Sequence, residues 1–89
     1  MADAESTGNA AFVKASVDVK SLTTKPSNDV LLELYALFKQ GIVGDNNDPA
    51  PGMFDLKGKA KYNAWKAKAG LSKEEAQAKY IELVNSLIA

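Results

Sequence analysis

The sequence predicts an all-α fold, a four-helix bundle. Three observations carry that expectation. Four segments place apolar residues at three- and four-residue spacing, Gly- and Pro-bearing breaks separate them, and no stretch shows the period-two alternation of a strand. The 89 residues suffice for one domain with a small core. Residues 1–89 are therefore read as a single domain, with 1–8, small and acidic, as a loosely ordered N-terminal extension.

The first helix is expected from about Asn9 to Ser21, because Phe12, Ala15, Ser16, Val19 and Leu22 recur on one helical face. Thr23-Thr24-Lys25-Pro26 ends it, since proline disfavours helical geometry in the residue before it. The second runs from about Asn28 to Ile42. Ser27 is its N-cap, Asp29 complements the helix dipole, and Gly41 and Gly44 weaken its far end. Residues 44–56 form a long turn-rich connection punctuated by Gly44, Pro49, Pro51 and Gly52. The third helix spans about Lys57 to Ala69 and stops at Gly70. The fourth opens on Ser72-Lys73-Glu74-Glu75, a capping box, and buries Ala76, Tyr80, Leu83, Val84 and Leu87.

Composition narrows the chemistry. Without cysteine there is no disulfide, thiolate metal site or thiol nucleophile, and without histidine the usual acid–base group near neutrality is gone. An enzyme is not expected, and neither a cofactor nor a metal is implied. No apolar run reaches the ~18 residues of a membrane span, and the acidic start lacks the basic and apolar regions of a signal peptide. A cytoplasmic monomer without stable membrane insertion is the expectation.

The net charge is zero but unevenly spread. Residues 1–56 carry four Lys against eight acids, and residues 57–89 carry seven Lys against three. All 11 cations are Lys. A local anion site is compatible with this pattern, whereas zero overall charge speaks against nucleic acid as a partner.

Two constellations stand out. On the second helix Leu31, Leu34, Phe38 and Ile42 occupy one arc, and Leu32, Tyr35, Ala36 and Lys39 the adjoining one. Either this helix packs on two neighbours, or the second arc lines a groove in which Tyr35 and Lys39, an i,i+4 pair, set a ring beside a cation. On the third helix Lys57, Lys61, Ala64 and Lys68 form one stripe with no acid between them. That stripe reads either as a solvated face or as a phosphate site, lysine being a suitable point charge for phosphate. Tyr62 and Trp65, off the stripe, are expected in the core; Tyr80 fits core or site.

Three near-motifs fail. Gly52 to Gly58-Lys59-Ala60 has one residue too many for a phosphate-binding loop and lacks the metal-binding hydroxyl. Asp45-Asn46-Asn47-Asp48 lacks the glycine and terminal glutamate of a calcium loop. Gly41-Ile42-Val43-Gly44 lacks the α/β surroundings of an RNA clamp.

The segments Lys25-Pro26-Ser27, Tyr35-Ala36-Leu37-Phe38-Lys39-Gln40, Gly44-Asp45-Asn46-Asn47, Pro51-Gly52-Met53, Asp55 and Gly58-Lys59-Ala60-Lys61-Tyr62-Asn63-Ala64-Trp65 together resemble the acyl-CoA-binding protein family. The resemblance covers about residues 10–88. It implies an up-down-down-up bundle that binds medium- and long-chain acyl-CoA esters as an intracellular carrier. It also implies that cations at Lys20, Lys39, Lys57 and Lys61 surround the CoA phosphates. By the same resemblance Tyr35, Ala36, Leu37, Phe38 and Lys39 contact the nucleotide end, Tyr80 also touches the ligand, and Leu32 lines the acyl groove. Long-chain fatty acyl-CoA is the implied partner, with transient contacts to acyl-CoA-using enzymes. Two departures accompany it: Phe38 stands where the family commonly has tyrosine, and the chain stops soon after Leu87.

Two other classes compete with this reading. A helical protein-interaction module would use the Lys57–Lys68 face to dock an acidic partner. A lysine- or carboxylate-based thioesterase would need a base–nucleophile pair, and none can be assembled from the motifs.

Overall fold

A computed structural model of the chain describes residues 4–88. Its helices are α1, Ala10–Asp18; α2, Asn28–Ile42; α3, Leu56–Lys66; and α4, Lys73–Ile88. Short 3-10 turns at Ala4–Thr7 and Val19–Ser21 flank α1. No strand occurs among the described residues.

Each helix starts where a side chain satisfies a free backbone amide. The Asn9 side-chain oxygen Oδ1 accepts from the Phe12 amide at 3.2 Å, and the Ser27 hydroxyl accepts from the Val30 amide at 3.3 Å. The Asp55 carboxylate accepts from the Gly58 amide at 2.9 Å, which starts α3 at Leu56. Ser72 and Glu75 form the reciprocal capping box before α4: the Glu75 amide donates to the Ser72 hydroxyl, and the Ser72 amide to the Glu75 carboxylate.

Contacts between helices fix their directions. The Asn9 amide group, at the start of α1, donates to the Gln77 side-chain oxygen near the start of α4 at 2.9 Å. At the other end Asp18 and Ser21 share a surface cavity with Asn85 and Leu87, so α1 and α4 run parallel. Helix α2 opposes α4: its last turn meets Gln77, and its Glu33 and Leu37 share a hollow with Leu83 and Ser86. Helix α3 advances with α2, Leu31 and Leu32 lining one cavity with Leu56 and Lys57, Tyr35 meeting Lys61, and Lys39 meeting Trp65. The topology is up-down-down-up.

The core gathers Ala4, Phe12, Ala15, Leu34, Leu37, Ile42, Tyr80 and Val84. Phe12, fully buried, stacks its ring edge against Tyr80 at 5.1 Å and lies 5.6 Å from Phe38. Beside this cluster sits a buried polar contact. Gln77 Nε2 donates to the Gly41 carbonyl at 2.8 Å, satisfying one of the carbonyls left over at the end of α2.

Three expectations are corrected. Ala4–Thr7 is a 3-10 turn with Ala4 buried in the core, not a loose extension; residues 1–3 lie outside the described residues. The turn is held by the Thr7 hydroxyl donating to the Ala4 carbonyl and accepting from the Asn9 amide. Gly41 does not interrupt α2. It is buried within the helix, where a Cβ would lie 3.1 Å from Gln77 Cγ and 3.3 Å from Phe12 Cζ. The α-helical part of α3 ends at Lys66, three residues early, and tightens into i→i+3 turns at Lys68 and Ala69. The cause is tertiary: the Gly70 amide donates to Asp45, and glycine supplies the φ of +95° needed there.

Truncation of Gln77 to Ala strands the Gly41 carbonyl and the Asn9 amide group. It is expected to lower the unfolding free energy by about 2 kcal/mol, read from urea denaturation, with helix content retained.

Candidate functional site

Two hollows flank the middle of α2. One, with a volume of about 370 Å³, is walled by Val13, Lys20, Tyr35, Phe38 and Tyr80, with Ala4 and Glu5 at its edge. The other, about 470 Å³, is walled by Leu31, Leu32, Leu56 and Ala60 and carries Lys25, Lys57 and Lys61. Between them Lys61 Nζ lies 5.3 Å from the centre of the Tyr35 ring. Tyr35 lines the first hollow and Lys61 the second, so the pair joins them.

The spacing of α2 produces this arrangement. Tyr35 and Phe38 are three apart and reach the aromatic hollow, while Leu31 and Leu32, one turn earlier, reach the leucine hollow. Lys57 and Lys61, four apart on α3, enter the same leucine hollow from the opposite wall. The Phe38 ring is tied to the core, 5.6 Å from both Phe12 and Tyr80, so it is a fixed wall rather than a mobile flap.

Charges at the site are weakly held. Among the described residues, ion pairs join Lys14 to Asp18 and Lys68 to Glu33, each at 2.7 Å, and neither pair involves a cation of the two hollows. A cation over an exposed ring contributes only about 0.5–1 kcal/mol, so an anion can draw Lys61 away from Tyr35. Together these parts can hold a flat ring against aromatic walls, an anion on lysines, and an apolar chain along leucines.

Seven of the ten residues expected at the site line these hollows: Lys20, Tyr35, Phe38 and Tyr80 in one, Leu32, Lys57 and Lys61 in the other. Three do not. Ala36 is 0% exposed and Leu37 2%, both beneath the surface. Successive helical residues turn by about 100°, so a run of five neighbours cannot all face one cleft. Lys39 Nζ lies over the Trp65 ring at 5.2 Å and lines neither hollow.

Other lining residues went unnoticed in the sequence. Leu31 falls on the first apolar arc of α2, beside Leu34 and Phe38, and it lines the leucine hollow. Its position four residues before Tyr35 was an available signal. Lys25 and Leu56 had none, because only tertiary folding brings a pre-helical loop and the first turn of α3 to the same hollow. The lysine stripe is also not one free face. Lys68 is neutralised by Glu33 of α2, while Trp65 is buried and donates from its indole N–H to the Gly44 carbonyl at 2.8 Å.

The Asp45-Asn46 stretch is structural. The Asp45 carboxyl is held below the usual carboxylate range by hydrogen bonds from the Gln40 side chain and the Gly70 amide. Asn46 donates to the Tyr62 carbonyl at 3.3 Å. Among the described residues no cluster of acidic side chains forms a metal site.

Fold and cleft define a small helical bundle with an amphipathic, lysine-bearing binding cleft. Residues 9–84 match the family model for acyl CoA binding protein. The chain is 63% identical over 78 residues to acyl-CoA-binding protein homolog 1 of Caenorhabditis elegans, covering 88% of this chain and 91% of that one. It is 50% identical over 78 residues to the acyl-CoA-binding protein of Saccharomyces cerevisiae, covering 88% and 90%. The crystal structure of Oryza sativa acyl-CoA-binding protein 2 superposes with a TM-score of 0.84 at 44% identity, covering 88% of this chain and 87% of that one. The chain belongs to the acyl-CoA-binding protein family.

Burial pushes the Tyr80 phenol up to about 12 from 10.0. A raised folded pKa means stability that is complete below about pH 10 and is lost as pH rises through 12, where the phenolate must be buried. Comparison of wild type with Tyr80→Phe by urea denaturation across pH 9–12 is expected to show this loss, on the order of 2 kcal/mol, in the wild type alone.

Proposed function

We propose that this chain is a single cytoplasmic acyl-CoA-binding domain, monomeric, that sequesters medium- and long-chain fatty acyl-CoA and carries it between acyl-CoA-using enzymes without turnover. The observation that supports this most directly is the Tyr35–Lys61 pair joining an aromatic hollow to a leucine-and-lysine hollow. Acyl-CoA has matching parts in matching order: a flat base, phosphates and an apolar chain.

In this reading the nucleotide end lies against Tyr35, Phe38 and Tyr80, where base–aromatic stacking contributes about 1–3 kcal/mol. Lys20, Lys57 and Lys61 meet the phosphates as point charges. The acyl chain follows Leu31, Leu32, Leu56 and Ala60. Each buried methylene contributes about 0.8 kcal/mol, so a sixteen-carbon chain offers up to about 12 kcal/mol before entropic costs. Binding energy therefore resides at both ends of the ligand, and neither half alone should bind well. Covering the tail with leucines and the head with lysines also shields the thioester from water.

Isothermal calorimetry with palmitoyl-CoA, free CoA and palmitate tests this. Palmitoyl-CoA is expected to bind at least about ten-fold more tightly than either fragment. Equal affinity for palmitate and palmitoyl-CoA would remove the head-group contacts from the reading. Release of free thiol on incubation would remove the carrier role.

The replacements Lys61→Ala and Tyr35→Ala are each expected to weaken palmitoyl-CoA binding by about 1 kcal/mol or more, with an unchanged circular dichroism spectrum. Loss of helix signal would instead make these residues structural.

A further inference from the structure

The connection between α2 and α3 has two unlike halves. Its first half is tied down through Gly44, Asp45 and Asn46, which bond Trp65, Gly70 and Tyr62. Its second half projects three large apolar side chains into solvent: Met53 is 72% exposed, Phe54 92% and Leu56 77%. Met53 and Phe54 stand on one tight turn, closed by the Asp55 amide donating to the Gly52 carbonyl at 3.0 Å, and Leu56 follows as the first residue of α3. Three such side chains on four consecutive positions are a concentrated apolar tip, which soluble surfaces ordinarily avoid.

The charges around the tip are mainly positive. Lys57 and Lys59 follow it on α3, and Lys25 and Lys61 share the adjacent hollow with Leu56. None of these four lysines has an ion-pair partner among the described residues. The acids of the same connection are Asp45, engaged by Gln40 and Gly70, the exposed Asp48, and Asp55, whose carboxylate caps α3.

We propose that the Gly52–Lys59 tip docks this protein peripherally on an anionic lipid bilayer. Met53, Phe54 and Leu56 enter the boundary between headgroups and acyl chains, and Lys57 and Lys59 meet lipid phosphates. A bilayer fits this surface better than a folded protein partner. The tip is convex, and lipid needs no complementary pocket to receive an exposed Phe, whereas a protein would. Apolar insertion combined with basic flanks is the pairing that peripheral membrane binding uses. The tip is also continuous with the cleft, since Leu56 and Lys57 belong to both. Docking would place the leucine hollow at the membrane surface, where an acyl chain enters or leaves. That last step rests on the acyl-CoA reading; the docking itself does not.

Vesicle flotation of the full chain tests the proposal, using phosphatidylcholine vesicles with and without 30% phosphatidylserine. The wild type is expected to float with the phosphatidylserine vesicles and to release at high salt. Phe54→Ser should lower the partition coefficient at least about five-fold on these vesicles, and Lys59→Glu should do the same. Both positions are exposed, so circular dichroism should match the wild type. Absence of wild-type flotation, or equal flotation of all three proteins, would overturn the proposal. Calorimetry of Phe54→Ser with palmitoyl-CoA separates the two readings: affinity within about two-fold of wild type leaves the cleft assignment standing whichever way flotation falls.

Discussion

The close approach of three helices at Gly41 is the constraint on which the rest of this structure depends. A Cβ there would sit 3.1 Å from Gln77 Cγ of α4 and 3.3 Å from Phe12 Cζ of α1, so both side chains would have to give by a few tenths of an ångström. The same contact satisfies the Gly41 carbonyl, which α2 cannot satisfy from within itself. Glycine in a helix costs about 1 kcal/mol relative to alanine, and here the loss is offset by close packing and a buried hydrogen bond. Three residues back along α2 lies Phe38, and three residues on along α4 lies Tyr80. Because these helices are antiparallel, the two rings meet each other and Phe12. The aromatic wall of the cleft is thus a direct extension of the contact at Gly41.

Electrostatics complete what packing begins. The protein spends little of its positive charge on stability: an exposed lysine pair such as Lys14–Asp18 contributes about 0.2–1 kcal/mol at most. The cations near the cleft rest on rings or in solvent, Lys61 on Tyr35 and Lys39 on Trp65. Such contacts orient an ammonium without neutralising it. On the proposed acyl-CoA reading, an arriving phosphate would meet lysines already positioned, with no ion pair to break first. Lys68 differs because Glu33 neutralises it, which divides a stripe continuous in sequence into an engaged end and a free end.

Much of the fold was legible in the sequence because its determinants are local. Ser27, the Ser72–Glu75 box and the Pro26 break each act within one helical turn, and the helices begin where those signals stand. The apolar spacing of α2 marked a helix with more than one neighbour, but its two arcs do not correspond to the two hollows, each of which draws residues from both. Local reading failed where a residue's role is set by a distant partner. The end of α3 is decided by Asp45, 25 positions before Gly70. Gln40 and Gln77, polar side chains with no local signal for burial, are buried where each finds a partner across the bundle. Leu37 and Ala36 were drawn toward the cleft by their place in a family segment, and helical rotation buries them instead.

By itself the sequence determined the class, the four helices, the absence of thiol and imidazole chemistry, and the residue types a cleft for an amphipathic anion requires. Periodicity and composition are properties of the chain alone, so they needed no tertiary information. Only the tertiary structure decided that Tyr35 and Lys61 meet between two hollows, that Lys25 and Leu56 share one of them, and that Lys39 turns to Trp65. Which wall of α2 faces α3 depends on where glycine lets α4 approach on the other side. That choice is made by packing between helices, to which spacing along one helix is blind.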